Sequence, residues 1–82
     1  MYSLSELQAQ LGVFRAKLTE ATEHTNRAVE LLDEAREAIV NAYEQAEPWV
    51  PKELDAARER LGEDVERLAA AGELISGYQA RL

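Results

Sequence analysis

The sequence predicts an all-α fold: an antiparallel hairpin of two unequal helices that pairs further into a four-helix bundle. Three observations predict it. The 82 residues are rich in Ala, Leu, Glu and Arg, which are strong helix formers. Large apolar residues recur every seven positions on both sides of a single interruption. Both prolines of the chain, Pro48 and Pro51, lie in that interruption.

The first helix is predicted over about 4–46. Ser3 and Glu6 form the S-x-x-E capping box, which places the start near Leu4. Two apolar rows then continue without a change of register, and such a long seven-residue repeat predicts a left-handed packing seam. The first row is Leu4, Leu11, Leu18, Thr25, Leu32, Ile39 and Ala46; the second is Leu7, Phe14, Ala21, Ala28, Ala35, Ala42 and Trp49.

Two features weaken this helix. Gly12 costs about 1 kcal/mol relative to Ala in a helix interior, and segment 19–26 holds three threonines and an asparagine. The unchanged register on both sides favours one continuous helix. The alternative is a break within 19–26 that folds the N-terminal arm back and makes a three-helix monomer.

A turn is predicted at 47–51, because proline cannot continue a helix and restricts the residue before it. The second helix is predicted over about 52–81, with Pro51 near its first turn. Charged pairs at i,i+4, Glu63 with Arg67 and Glu23 with Arg27, are expected on the outer faces. The apolar row of this helix is Leu54, Leu61, Leu68, Ile75 and Leu82.

Folding about the turn leaves apolar surface uncovered. It brings Leu82 close to Arg15, so the apolar segment 4–14 has no facing helix. The apolar stripe is also wider than one neighbour covers, because five further residues lie beside the seam: Val29, Leu31, Val40, Tyr43 and Leu74. Leaving half a dozen large side chains exposed loses roughly 10 kcal/mol of the stabilising free energy that their burial would contribute. We therefore predict a protein partner, in a homodimer or with a different hairpin. The predicted partner-binding residues are Leu4, Leu7, Leu11, Phe14, Leu18, Trp49, Tyr78 and Leu82.

Composition argues against several classes of function. The net charge of -7 and the pI near 4.6 disfavour nucleic acid and anionic membranes as partners. With no cysteine and one histidine, neither a disulfide nor a classical zinc site is expected. The sequence contains no Ser-His-Asp or Cys-His set and no glycine-rich phosphate loop. We expect no enzyme activity, no catalytic or metal site and no cofactor.

Residues 1–82 are read as one domain. Segment 1–18 lacks the continuous apolar core of a signal peptide, and no apolar run is long enough to span a membrane. The expected location is the cytoplasm, with secretion without a signal peptide left open.

A helix, a tryptophan-containing turn and a second helix in an acidic chain resemble the WXG100 (ESX-type) proteins of type VII secretion. The turn reads Trp49-Val50-Pro51, so Trp matches and Pro51 replaces the family's glycine. Tyr78 is followed four residues later by Leu82, where the family's tail signal has an acid. The resemblance implies a secretion-associated protein that pairs as a hairpin dimer, with the Trp49 turn and the C-terminal tail as recognition features.

The chain is also similar to the N-terminal helical modules of actinobacterial polymorphic toxins, in its Ala/Glu/Arg-rich hairpin that ends at 77–82. That resemblance implies a role in export or pairing. Two other functions stay open on the residues alone. One is a self-associating structural coiled coil. The other is a small acidic inhibitor, although Arg58, Arg60 and Arg67 interrupt the acidic face that it needs.

Overall fold

The chain forms two long helices in a computed structural model that describes residues 3–42 and 50–82. Helix α1 spans Leu4–Ala42 and helix α2 spans Lys52–Ala80. The all-α hairpin and its two helices are confirmed, with the start of α1 at the predicted residue and the end of α2 one residue early. The predicted last turn of the first helix, and Trp49 with most of the predicted turn, lie outside the described residues.

The N-terminus of α1 is capped as the sequence predicts. The backbone N–H of Glu6 donates to Ser3 Oγ at 3.2 Å, and the N–H of Leu7 donates to the Ser3 carbonyl at 2.9 Å. The first bond satisfies one of the N–H groups that a helix start leaves without partners, and the second is the first backbone bond of the helix. Glu6 in the first turn also complements the positive end of the helix dipole.

Helix α1 runs unbroken through the weak segment 19–26. Thr19, Thr22 and Thr25 each donate the side-chain hydroxyl to the carbonyl oxygen four residues earlier, at 3.2, 2.8 and 2.8 Å. Their hydroxyls are therefore satisfied inside the helix and do not compete with its backbone ladder. The continuous helix is confirmed, and the three-helix alternative is wrong for the described residues.

Helix α2 begins directly after Pro51. This residue is the N-cap, with φ -57° and ψ 128°, which agrees with its predicted position near the first turn. Its carbonyl accepts the N–H of Leu54 at 3.0 Å. Because the fixed φ of proline suits a helix entry, the chain needs no side-chain cap here. Glu53 and Asp55 supply negative charge in the first turn.

Two reciprocal ion pairs hold the helices side by side near the turn. Arg36 Nε lies 3.2 Å from Asp55 Oδ1, and Arg58 Nε lies 3.0 Å from Asp33 Oδ1. Each helix contributes an aspartate and, three residues later, an arginine. Antiparallel packing matches the two units head to tail, so each arginine meets the aspartate of the other helix.

A third link joins the helices at the open end of the hairpin. Arg15 Nη1 donates to Gln79 Oε1 at 2.9 Å. The sequence places Leu82 beside Arg15, so the observed partner lies three residues earlier, about one helical turn. Segment 4–11 of α1 consequently extends past the end of α2.

The hairpin is long and thin, with principal extents of 65 × 18 × 14 Å. Among residues 3–42 and 50–82 none is buried. The accessible surface is 6493 Å², whereas a compact monomer of 9.2 kDa exposes about 4,900 Å². Two packed helices thus leave the chain about 1,600 Å² more exposed than a compact fold of its mass.

Candidate functional site

The predicted partner-binding residues divide into two groups. Leu7, Leu11 and Leu18 are half-buried. The others that the structure describes are exposed. They are Leu4, Phe14, Tyr78 and Leu82, with exposed fractions of 55%, 49%, 44% and 40%. Trp49 lies outside the described residues.

Exposed apolar side chains gather on one side of the hairpin, which we call the apolar flank: Phe14 and Leu31 of α1 with Leu74 and Tyr78 of α2. In the seven-residue repeat of α1, Phe14 lies three positions after a residue of the first row, and Leu31 lies six positions after another residue of that row. In α2, Tyr78 lies three positions after Ile75, and Leu74 lies one position before it. In a repeat of seven, one position before a row residue is the same as six positions after the previous one. These offsets lie on the same side of the seam in both helices.

The opposite side, which we call the clasp flank, carries the polar links between the helices. Arg15, Arg36, Arg58 and Gln79 each follow a first-row position by four residues, and this offset lies across the seam from the apolar flank. The hydrogen bond and both ion pairs described above are all on this side. Polar groups that join the helices are therefore separated from the apolar surface that the hairpin leaves open.

Leu31 and Leu74 belong to the apolar flank but not to the predicted binding set. Leu74 is 74% exposed, more than any other large apolar residue described, and Leu31 is 49% exposed. The signal for both was in the sequence, because each widens the apolar stripe beside the seam. Their exposure depends on which side of the stripe the second helix covers, and the repeat alone does not decide that.

Segment 4–11 adds a second apolar surface at the open end. Leu4 is 55% exposed, whereas Leu7 and Leu11 are half-buried. The segment is about 12 Å long at 1.5 Å per residue. Val13, 58% exposed, lies at its base. A partner that covers the apolar flank near Phe14 is close enough to cover this segment as well.

The margin of the apolar flank is basic in an otherwise acidic chain. Arg60, Arg67 and Arg81 share a seven-residue row with Leu74 on α2. Lys17 lies in the matching row of α1 with Leu31. By contrast, the outward row of α2 holds Glu59, Glu66 and Glu73. Two of these cations already pair within their own helices, Lys17 with Glu20 and Arg67 with Glu63 and Asp64.

No family model, curated protein or solved structure matches this chain. Within the described ranges, neither helix has an apolar stretch of the length that crossing a membrane requires. The same ranges hold no group of three or more His, Asp or Glu side chains arranged to hold a metal ion. The fold and its surface define the class of protein as a two-helix antiparallel hairpin with one apolar flank.

Proposed function

We propose that this chain is a non-enzymatic protein-interaction module that pairs through its apolar flank with a second helical hairpin, making a four-helix assembly. The observation that carries the proposal is the lack of any buried residue among those described. A protein of this kind obtains its core from its partner, as marginal small domains commonly do.

The size of the uncovered surface fits such a pairing. If each of two hairpins lost about 1,600 Å² on association, the interface would total about 3,200 Å². Obligate dimers bury roughly 2,000–5,000 Å², mostly apolar, whereas transient contacts bury much less. Phe14, Leu31, Leu74 and Tyr78 would provide its apolar centre, and the basic margin would meet carboxylates. Carboxylates at 6, 20 and 34 lie along the outer side of α1. Because Glu20 and Glu34 already pair with Lys17 and Arg27, Glu6 is the one of these three that suits this role in a second copy.

For the biological setting we propose type VII secretion, with the chain acting as a secretion partner or effector-associated hairpin. The support is the likeness of the sequence to WXG100 proteins, together with a hairpin that leaves Tyr78 and Leu82 exposed at the open end. On this proposal the chain folds in the cytoplasm and reaches the outside, if exported, with its partner.

The test is the mass of the full chain in solution, measured by light scattering and sedimentation from 1 to 100 µM. A chain of 9.2 kDa that pairs with itself should approach twice that mass, and Leu74→Glu should return it to the single mass. Glu73→Gln, next in sequence but on the outward row, is the matched control and should leave the mass unchanged.

A different hairpin as the partner gives another result. The isolated chain then stays single and unfolds without cooperativity, since its apolar flank is uncovered. A single chain that unfolds in one cooperative transition with several kcal/mol of stability would overturn both forms of the proposal, because it would need no companion.

A further inference from the structure

A groove lies on the clasp flank, nearer the open end of the hairpin than the ion pairs by the turn, and Arg15 is among the residues that line it. Its volume is about 840 Å³. Leu18 and Leu68, one from each helix, line it from the seam. Small residues on both helices make room above them: Gly12, Ala16, Ala69 and Gly72. The groove lies across the seam from the apolar flank, so it stays open when that flank is covered.

The glycines of the groove have no role in packing α1 against α2. A Cβ atom added at Gly12 or Gly72 would meet nothing within 4 Å, and neither residue has a positive φ. Each costs about 1 kcal/mol relative to alanine in a helix interior. Without a side chain at either position, the groove is open to the close approach of another backbone.

The hydroxyls and the guanidinium that line the groove have hydrogen-bond partners within the hairpin, whereas its carboxylates have no ion-pair partner among the described residues. Thr19 and Thr22 donate their hydroxyls within α1, and the Arg15 guanidinium is engaged by Gln79. Glu23 and Glu73 also line the groove. Neither carboxylate lies within ion-pair distance of a cation among the described residues. The expected pair of Glu23 with Arg27 is replaced there by pairs of Arg27 with Glu30 and Glu34.

We propose that this groove binds one basic helix of a partner protein. The stretch from Gly12 to Glu23 measures about 17 Å, which matches about three turns of helix. A bound helix would place small and aliphatic side chains over Leu18 and Leu68, as in helix-in-groove recognition. It would place a lysine or arginine against Glu23 and Glu73, where those carboxylates lack a cation.

This groove is separate from the pairing surface of the proposed function and does not depend on it. Pairing covers Phe14, Leu31, Leu74 and Tyr78, while the groove uses residues across the seam. The hairpin would thus join two partners at once, one on each flank. Changes in the groove should alter binding of a helix without altering the mass of the chain in solution.

The experiment uses the full isotope-labelled chain and a synthetic helical peptide of 18 residues, with alanine and leucine on one face and lysine at its edges. Titration should shift the amide signals of Gly12, Ala16, Ala69 and Gly72. Gly72→Leu and, independently, Ala16→Leu should abolish the shifts by filling the groove. Gly77→Leu adds the same side chain to an interior glycine with open space around it but outside the groove, and should bind as the unaltered chain does.

The charge requirement is tested in the same titration. Glu23→Gln with Glu73→Gln should weaken binding about fivefold, as expected for partly exposed ion pairs. A peptide of the same charge with a scrambled apolar face should fail to bind in the groove. The proposal is overturned if the peptide shifts Phe14 and Leu74 instead, or if it binds equally well with Gly72 and Ala16 replaced, their helix content being unchanged.

Discussion

At the residue scale, the ends and glycines of the helices make separable contributions to stability. Ser3 stabilises the start of α1 through its side chain and its carbonyl. Pro51 achieves a similar result for α2 through its fixed backbone angle alone. The interior glycines act in the other direction, because the helix loses backbone entropy at each of them without a compensating contact.

Replacing Ser3 by alanine should lower the free energy of unfolding by about 1 kcal/mol, because the N–H of Glu6 loses its acceptor. Hydrogen exchange at the amides of Glu6 and Leu7 would detect the loss as faster exchange. Ser5→Ala is the matched control, since Ser5 Oγ hydrogen-bonds to Ser3 Oγ, at 3.4 Å, and to no backbone N–H among the described residues. Equal effects of the two substitutions would show that the cap does not stabilise the helix.

Gly62→Ala should raise the free energy of unfolding by about 0.5–1 kcal/mol. The added Cβ meets nothing within 4 Å, so only helix propensity changes. Urea denaturation at one fixed chain concentration measures the effect. A decrease in stability would mean that something outside the chain packs against Gly62, which lies on the clasp flank.

At the scale of elements, the two helices are joined by few polar links along a seam that is only half-buried. The reciprocal ion pairs are half-exposed, so water screens them and their net contribution is small. Their effect is geometric: an aspartate and an arginine three residues apart on each helix match in one antiparallel alignment. If one helix were shifted along the other by a full turn, residues of like charge would lie next to each other.

A double-mutant cycle with Asp33→Ala and Arg58→Ala should give a coupling energy of about 0.2–1 kcal/mol, decreasing at high salt. The small value follows from the exposure of both side chains. Lys17→Ala with Glu20→Ala, an ion pair within α1, is a control for pairs that do not join the helices. A coupling well above 1 kcal/mol would mean that a partner desolvates the Asp33–Arg58 pair.

The continuity of α1 can be measured directly, because the chain has no cysteine. Spin labels on Ser5→Cys and Asn41→Cys should be separated by about 54 Å along a straight helix. Both positions are exposed, so labelling should not disturb packing. A separation below about 35 Å would require a break in α1 and would support the three-helix monomer. A straight helix holds labels 36 residues apart at a greater distance than this.

At the scale of the whole molecule, shape determines what the chain can do alone. With extents of 65 × 18 × 14 Å, the described residues enclose no interior, because each helix has one neighbour and that neighbour covers only one side of its apolar stripe. The hairpin resolves this by separating its surfaces. One flank is polar and links the helices, and the other is apolar with a basic margin.

If folding depends on pairing, the thermal midpoint should rise with chain concentration. For a homodimer, each tenfold increase in chain concentration adds about 1.4 kcal/mol to the apparent free energy of unfolding. This corresponds to a rise of about 4 °C in the thermal midpoint, because the unit that unfolds is the pair of chains. Circular dichroism from 1 to 100 µM measures it. Leu74→Glu is expected to remove the dependence, and a midpoint that never changes with concentration would exclude self-pairing.

The sequence alone determined the helices and their seam. The capping box at Ser3, the entry at Pro51 and the seven-residue rows act within one helix, where spacing fixes which side chains share a face. Exposure of Leu4 and Phe14 followed from the same rows, since segment 4–14 has more apolar residues than the shorter helix can cover.

Only the tertiary structure decided how the helices are offset and which flank stays open. Arg15 meets Gln79 rather than Leu82 because the offset depends on packing between helices, and a shift of one turn preserves each helix's own periodicity. The same packing choice exposes Leu31 and Leu74 and opens the groove beside Gly12 and Gly72. A repeat of seven specifies a stripe wide enough for two neighbours, and only the position of the second helix shows which side of that stripe remains for a partner.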